Sequence, residues 1–176
     1  MNALGAPAFP LRALHGSLQT HAPDAAISIL QETGFASGEG IYQAFMAWLP
    51  EGAGVDNPDQ LEGERFSRVL SAFFEARGFG PLEVGPLAGG ALALDSTAWA
   101  EAEPGTAQAP MCFFSAGMLA DFLGRLSGES VAVMEVECRS KGDDRCRFLS
   151  AMPETLQKVY EAMTAGQSYE EALGGG

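Results

Sequence analysis

Basic side chains are scarce in this chain of 176 residues: ten lysines and arginines stand against 23 aspartates and glutamates, a formal net charge of -13. Phosphate contacts need clustered cations, so nucleic acid is excluded as an expected partner. Long apolar runs are absent too. Nothing approaches the roughly eighteen consecutive apolar residues of a membrane helix, and Pro7 and Pro10 interrupt the only apolar stretch near the N-terminus, which lacks the pattern of a secretory signal. A soluble, cytoplasmic chain is the expectation. There is no Gly-x-Gly-x-x-Gly after a strand, no phosphate loop ending in Gly-Lys-Ser/Thr and no Gly-x-Ser-x-Gly elbow. Gly34 to Gly40 holds three close glycines but connects helical patterns, and no residue is assigned a catalytic role. Histidine occurs only at His15 and His21, read as surface or helix-end positions.

What is present fits one domain. The length suits a single core, and 47% hydrophobic residues with a mean hydropathy near zero are ordinary for a globular protein. Leu11, Leu14 and Leu18 suggest a short amphipathic helix. From Pro23, Ala26, Ile29, Leu30 and Thr33 keep helical spacing as far as Gly34, a C-terminal stop, and a second helix over 37–49 carries Ile41, Tyr42, Phe45, Trp48 and Leu49. Asn57-Pro58-Asp59-Gln60 reads as a helix start, followed by Phe66, Val69, Leu70, Phe73 and Phe74. Short apolar runs from Phe79 to Leu94 around Gly89-Gly90 predict a hairpin. After a polar connection holding Trp99, residues 112–126 are apolar on almost every face, with small residues interspersed, and predict a buried helix. Strands are expected over 129–139 and 146–151, then a helix opened by Pro153.

Three cysteines, an odd number in a chain without an export signal, favour free thiols or metal ligands over disulfides. A hairpin centred on Gly142 sets Cys138 and Cys146 opposite each other on one face, with Cα atoms roughly 4.5 to 5.5 Å apart. Cys112, just after Pro110 at a helix start, supplies a third sulfur where the helix dipole favours a thiolate. A carboxylate completes a four-ligand shell, and both Glu135 and Glu137 are candidates. Neither shares a face with Cys138 in a regular strand, so a bulge or strand end must re-aim one of them.

Asp95-Ser96, Pro110-Met111-Cys112, Gly117-Met118-Leu119, Glu135-Val136-Glu137-Cys138, Gly142-Asp143 and Cys146-Arg147-Phe148 together resemble the 4-vinyl reductase domain, also described as a hydrocarbon-binding domain. Phe66, Phe73-Phe74 and Gly78-Phe79-Gly80 extend the resemblance over roughly 24–151. It implies an α+β fold, an antiparallel sheet with helices packed against it, similar to that of TRAPP subunits and of nitric-oxide-sensing and Golgi-transport ligand-binding domains. In zinc-bearing relatives, the ligand-binding domains of phenol-responsive activators, a Cys is followed by a Glu three residues before a second Cys, with a third Cys eight residues on. That pattern falls on Cys112, Glu135, Cys138 and Cys146, and it is the resemblance that selects Glu135. Four protein ligands imply a structural zinc, because catalytic sites keep an open position.

Each large apolar residue taken singly reads as core. As a cluster, the resemblance implies a ligand cavity formed by Tyr42, Phe45, Phe66 and Phe73 from the first helices, Trp99, and Phe113, Phe114, Met118 and Phe122 from the buried helix. The expected function is a zinc-stabilised binding or sensing module for a small hydrophobic or aromatic molecule, acting as a homodimer and passing its signal to a protein effector. Phe113 stands where the phenol sensors carry a Trp, which argues against phenol itself. The alternatives are an accessory protein or reductase of bacteriochlorophyll tetrapyrrole metabolism, and a scaffold subunit. The expected layout is an N-terminal arm over 1–22, the binding domain over 23–165 and a flexible tail over 166–176.

Overall fold

The computed structural model describes residues 8–175; residues 1–7 of the expected arm and Gly176 of the expected tail lie outside them. Helix α1 (Ala8–His21) leads through a short 3-10 turn into α2 (Ala26–Gly52). The break expected at Gly34 does not occur, and the two helices predicted there are one. Gly34 and Gly38 are contact points rather than stops. A Cβ on Gly34 would lie 2.0 Å from the carbonyl oxygen of Phe114, and one on Gly117 would lie 2.1 Å from that of Gln31, so glycine on both sides is what lets α2 cross α4 (Phe113–Ser127) at backbone contact.

Asn57 caps a 3-10 turn at Pro58–Gln60, its side chain accepting the Asp59 N–H, and α3 (Gly63–Ala76) begins shortly after. Four strands follow: β1 (Glu83–Pro86), β2 (Leu92–Ser96), β3 (Ala132–Glu137) and β4 (Cys146–Ala151). They form one antiparallel sheet in the order β1-β2-β4-β3. Ser67 and Ser71 on α3 stitch that helix to the sheet edge, accepting the N–H groups of Val84 and Leu82 at 2.8 and 3.1 Å. Pro153 opens α5 (Pro153–Thr164), as its fixed φ favours at a first helical position.

Strand alternation divides the core in two. Leu94, Cys146 and Phe148 point to the face covered by α2, α3 and α4, while Val136, Leu149 and Ala151 point to the face covered by α5 and α6 (Tyr169–Gly174). The expected flexible tail is therefore corrected. A capping box between Ser168 and Glu171 starts α6, and Tyr169 and Leu173 are buried on the sheet. Among the described residues, no helix is long and apolar enough to cross a membrane.

Candidate metal centre

Cys112 is the N-cap of α4, Cys138 ends β3 where a 3-10 turn (Arg139–Lys141) begins, and Cys146 opens β4. The β3–β4 register runs Glu135↔Phe148 and then Glu137↔Arg147, so one residue is extra at Val136. This bulge changes the facing between Glu135 and Cys138, which a regular strand would hold on opposite sides. Beyond it the turn is closely tied: Cys138 N–H donates to the Asp143 carboxylate at 2.8 Å, and Lys141 N–H donates to the Cys138 carbonyl at 2.9 Å. Gly142 closes it with φ of 106°.

The Cys112 sulfur lies 3.9 Å from that of Cys138 and 4.0 Å from that of Cys146. Together with a Glu135 carboxylate oxygen, the four ligand atoms lie within 4.8 Å of one another. All three cysteines are buried. Glu135 Oε2 accepts the N–H groups of Met111 and Cys112 at 3.1 and 2.9 Å, whereas its buried Oε1 has no hydrogen-bond partner. A buried polar atom left so is costly, and a cation would satisfy it. Thiolates about 2.3 Å from a tetrahedral ion stand roughly 3.8 Å apart. These residues fit a metal ion.

Their protonation fits too. Burial, and then the charge of Cys138, pushes the Glu135 carboxyl up to about 8. Hydrogen bonds from Cys112 and Cys146 hold the Cys138 thiol far below its ordinary value, while the contacts of Cys112 with Cys138 and Cys146, and then burial, push the Cys112 thiol up. Without a metal the cluster thus keeps protons that a metal would displace. The other candidate carboxylate lies outside the cluster. Glu137 accepts from Arg145 Nε at 2.7 Å and from the Tyr169 hydroxyl, and Arg145 keeps its carboxyl below the usual range.

The aromatic residues expected to enclose a cavity are for the most part solid core. Phe45, Phe73, Trp99, Met118 and Phe122 are at most 1% exposed. The Phe45 ring meets Phe73 at 5.1 Å and Phe122 at 5.6 Å between centroids, and Trp99 meets Phe148 at 5.8 Å. Tyr42 and Phe114 pack half-buried against that core. Phe66 and Phe113 differ in lining open clefts. The Phe66 cleft, about 800 Å³, runs between α3 and β1–β2 past Leu61, Val84 and Leu92, and a smaller cleft of about 270 Å³ shares Leu61, Phe66 and Leu92 and continues to Leu123, Leu126 and Val131. The Phe113 cleft, about 860 Å³, lies between β3, α4 and α5 beside Cys112 and Glu135.

Two residues escaped the reading of the sequence. Glu101, in the polar connection, is a buried carboxylate holding the start of α4, and His15 lies 2.8 Å from it. The available signal was negative: Ala109-Pro110-Met111-Cys112 offers the helix no Ser, Thr, Asp or Asn as a cap, so a distant group had to supply one.

Among solved structures, the chain is similar to the phenol-responsive sensory domain of the transcription activator PoxR, determined with phenol. The two share 17% identity at a TM-score of 0.60, covering 95% of this chain and 84% of that one, a likeness of fold. A vinyl-4-reductase family protein from Methanocaldococcus jannaschii aligns over 86% of this chain and 98% of its own, with 21% identity and a TM-score of 0.37. No curated protein sequence matches. The resemblance read from the sequence is borne out where the cluster lies: residues 100–150, which contain Cys112, Glu135, Cys138 and Cys146, match the family model of the 4-vinyl reductase domain.

Proposed function

We propose that this chain is a binding or sensing module for a small hydrophobic molecule, stabilised by a structural zinc on Cys112, Glu135, Cys138 and Cys146. The observation that carries the metal is the convergence of three buried sulfurs and one carboxylate from three separate segments, with a carboxylate oxygen left unpaired. Three thiolates suit zinc among the abundant divalent ions. Four protein donors fill a tetrahedral shell, so the ion is structural and ties the start of α4 to the β3–β4 turn.

The ligand belongs in the paired clefts beneath α3. They lie on the sheet face that carries the aromatic core, are lined by leucine, valine and phenylalanine, and have the size and apolar character of small-molecule sites. The fold likeness to a domain described as phenol-responsive supports a sensing role. Native mass spectrometry of the chain purified without denaturation, with metal analysis, tests both parts. One zinc per chain and uptake of an apolar probe such as a naphthalene derivative, reduced by Leu92→Arg, are expected. Uptake reduced by Tyr160→Arg instead would move the ligand to the cleft beside the metal, and absence of zinc would remove the clamp from the reading.

A further inference from the structure

Helix α4 begins with a cysteine, and cysteine is a poor cap: the Cys112 side chain makes no capping hydrogen bond to its helix. Its sulfur is instead turned to Cys138 and Cys146. The orphan N–H groups at this end must be satisfied by other means, and two carboxylates divide them. Glu135 takes Met111 and Cys112, while Glu101 takes Phe114 at 3.0 Å through Oε1 and Ser115 at 2.7 Å through Oε2. Glu101 also accepts the Ser115 hydroxyl, and that hydroxyl accepts the Trp99 indole N–H at 2.7 Å.

The Glu101 side chain has no exposure at all, and a wholly buried carboxylate needs a counter-charge. The nearest basic group comes from α1: His15 Nε2, with its side chain 13% exposed, lies 2.8 Å from Glu101 Oε1. The other charged group lining this corner, Glu103, is acidic and adds to the need. A site of three thiolates and a carboxylate around one divalent ion is itself anionic, so an uncompensated Glu101 beside it would repel the very ligands it holds in place.

We propose that Glu101 is the positioning residue of the metal site, capping α4 from a distance so that Cys112 is free for the metal, and that His15 completes it, so that docking of α1 and occupation of the metal site support each other. This rests on the zinc reading above. Coupling of this kind is reciprocal: metal should order α1, and α1 should retain metal.

The test uses the full chain with Glu101→Gln and His15→Ala, loaded with zinc or with cobalt as a spectroscopic substitute. Glu101→Gln keeps the shape but loses one acceptor and the charge. It should weaken metal binding, measured by competition with a chromophoric chelator, on the order of 10-fold or more, and should alter the cobalt–thiolate charge-transfer bands. His15→Ala should speed metal release several-fold and raise amide exchange across α1, and chelation of wild type should raise the same α1 exchange. Should Glu101→Gln not fold, His15→Ala and the chelation arm carry the test. Wild type that takes up no metal defeats the zinc reading and this one together. Wild type that binds metal while both variants match it in affinity and spectrum, or α1 exchange that chelation leaves unmoved, overturns this inference alone.

Discussion

On the inner face of the sheet, Leu94 and Phe148 meet α2, α3 and α4 in a core of rings and aliphatic chains, with the thiol cluster at its border. On the outer face the intervening residues of the same strands are charged. Arg147 is directly opposite Asp95 and grips it through Nε at 2.7 Å and Nη2 at 2.6 Å, while its Nη1 donates to the Tyr169 hydroxyl at 2.9 Å. One face is held by burial and three convergent sulfurs. The other is held by a bidentate ion pair under two short helices. The first should depend on metal and be largely indifferent to salt, the second the reverse.

Removing the clamp should have the largest effect. Cys146→Ala, or chelation of wild type, should cost on the order of 4 kcal/mol or more, because loss of a structural metal belongs with the severe lesions. At roughly 2 to 4 °C per kcal/mol for a chain of this size, scanning calorimetry should show a drop of about 10 °C or more. An unchanged melting temperature after verified metal removal would mean that the inner face stands on its rings alone.

Phe74→Ala comes next, at about 3 to 5 kcal/mol by urea denaturation. Phe74 has no exposure and sits against Phe73, Phe79, Trp99 and Phe122 with centroids 5.3 to 5.8 Å away. The loss should be equal at low and high salt. A salt-dependent loss would blur the distinction between the faces.

Arg147→Met should cost about 1 to 2 kcal/mol, since the pair is only partly shielded from water. It should spare metal content and raise amide exchange in α6 first. Equal exchange throughout the chain would make the outer face part of a single cooperative unit.

The pH profiles should have opposite signs. In the metal-free chain the Glu135 carboxyl is raised from 4.5 to about 8. Its contribution is therefore full below the lower value and disappears as pH rises through the upper one. Glu137, lowered by Arg145, contributes above its usual value and loses that contribution as pH falls through the lowered one. Thermal melts of metal-free protein from pH 5 to 8 should fall in wild type and flatten in Glu135→Gln, whereas Glu137→Gln should change only the acid limb. A metal-free wild type that gains stability over that range would contradict the burial of Glu135.

Much of this was legible in local sequence. The hairpin about Gly142 has the register expected of it, since Glu137↔Arg147 is the pair beside Cys138 and Cys146. Asn57-Pro58 and Pro153 start helical turns where their chemistry predicts. Elements set by partners distant in the chain were not legible. Gly34 reads as a stop unless Phe114 is known to lie against it, and Tyr169 reads as tail unless Arg147 and Glu137 are known to lie beneath it.

By itself the sequence determined the element types, the hairpin that brings Cys138 near Cys146 and the need for a bulge if Glu135 is to join them, because periodicity, turn residues and strand alternation act over a few residues. Only the tertiary structure decided that Phe45, Phe73 and Phe122 close on one another rather than around a space, that Glu101 caps α4 and that His15 meets it. Each of those outcomes depends on which groups burial forces together from opposite ends of the chain, and a buried charge or ring is satisfied by whatever the fold sets beside it, at any separation in sequence.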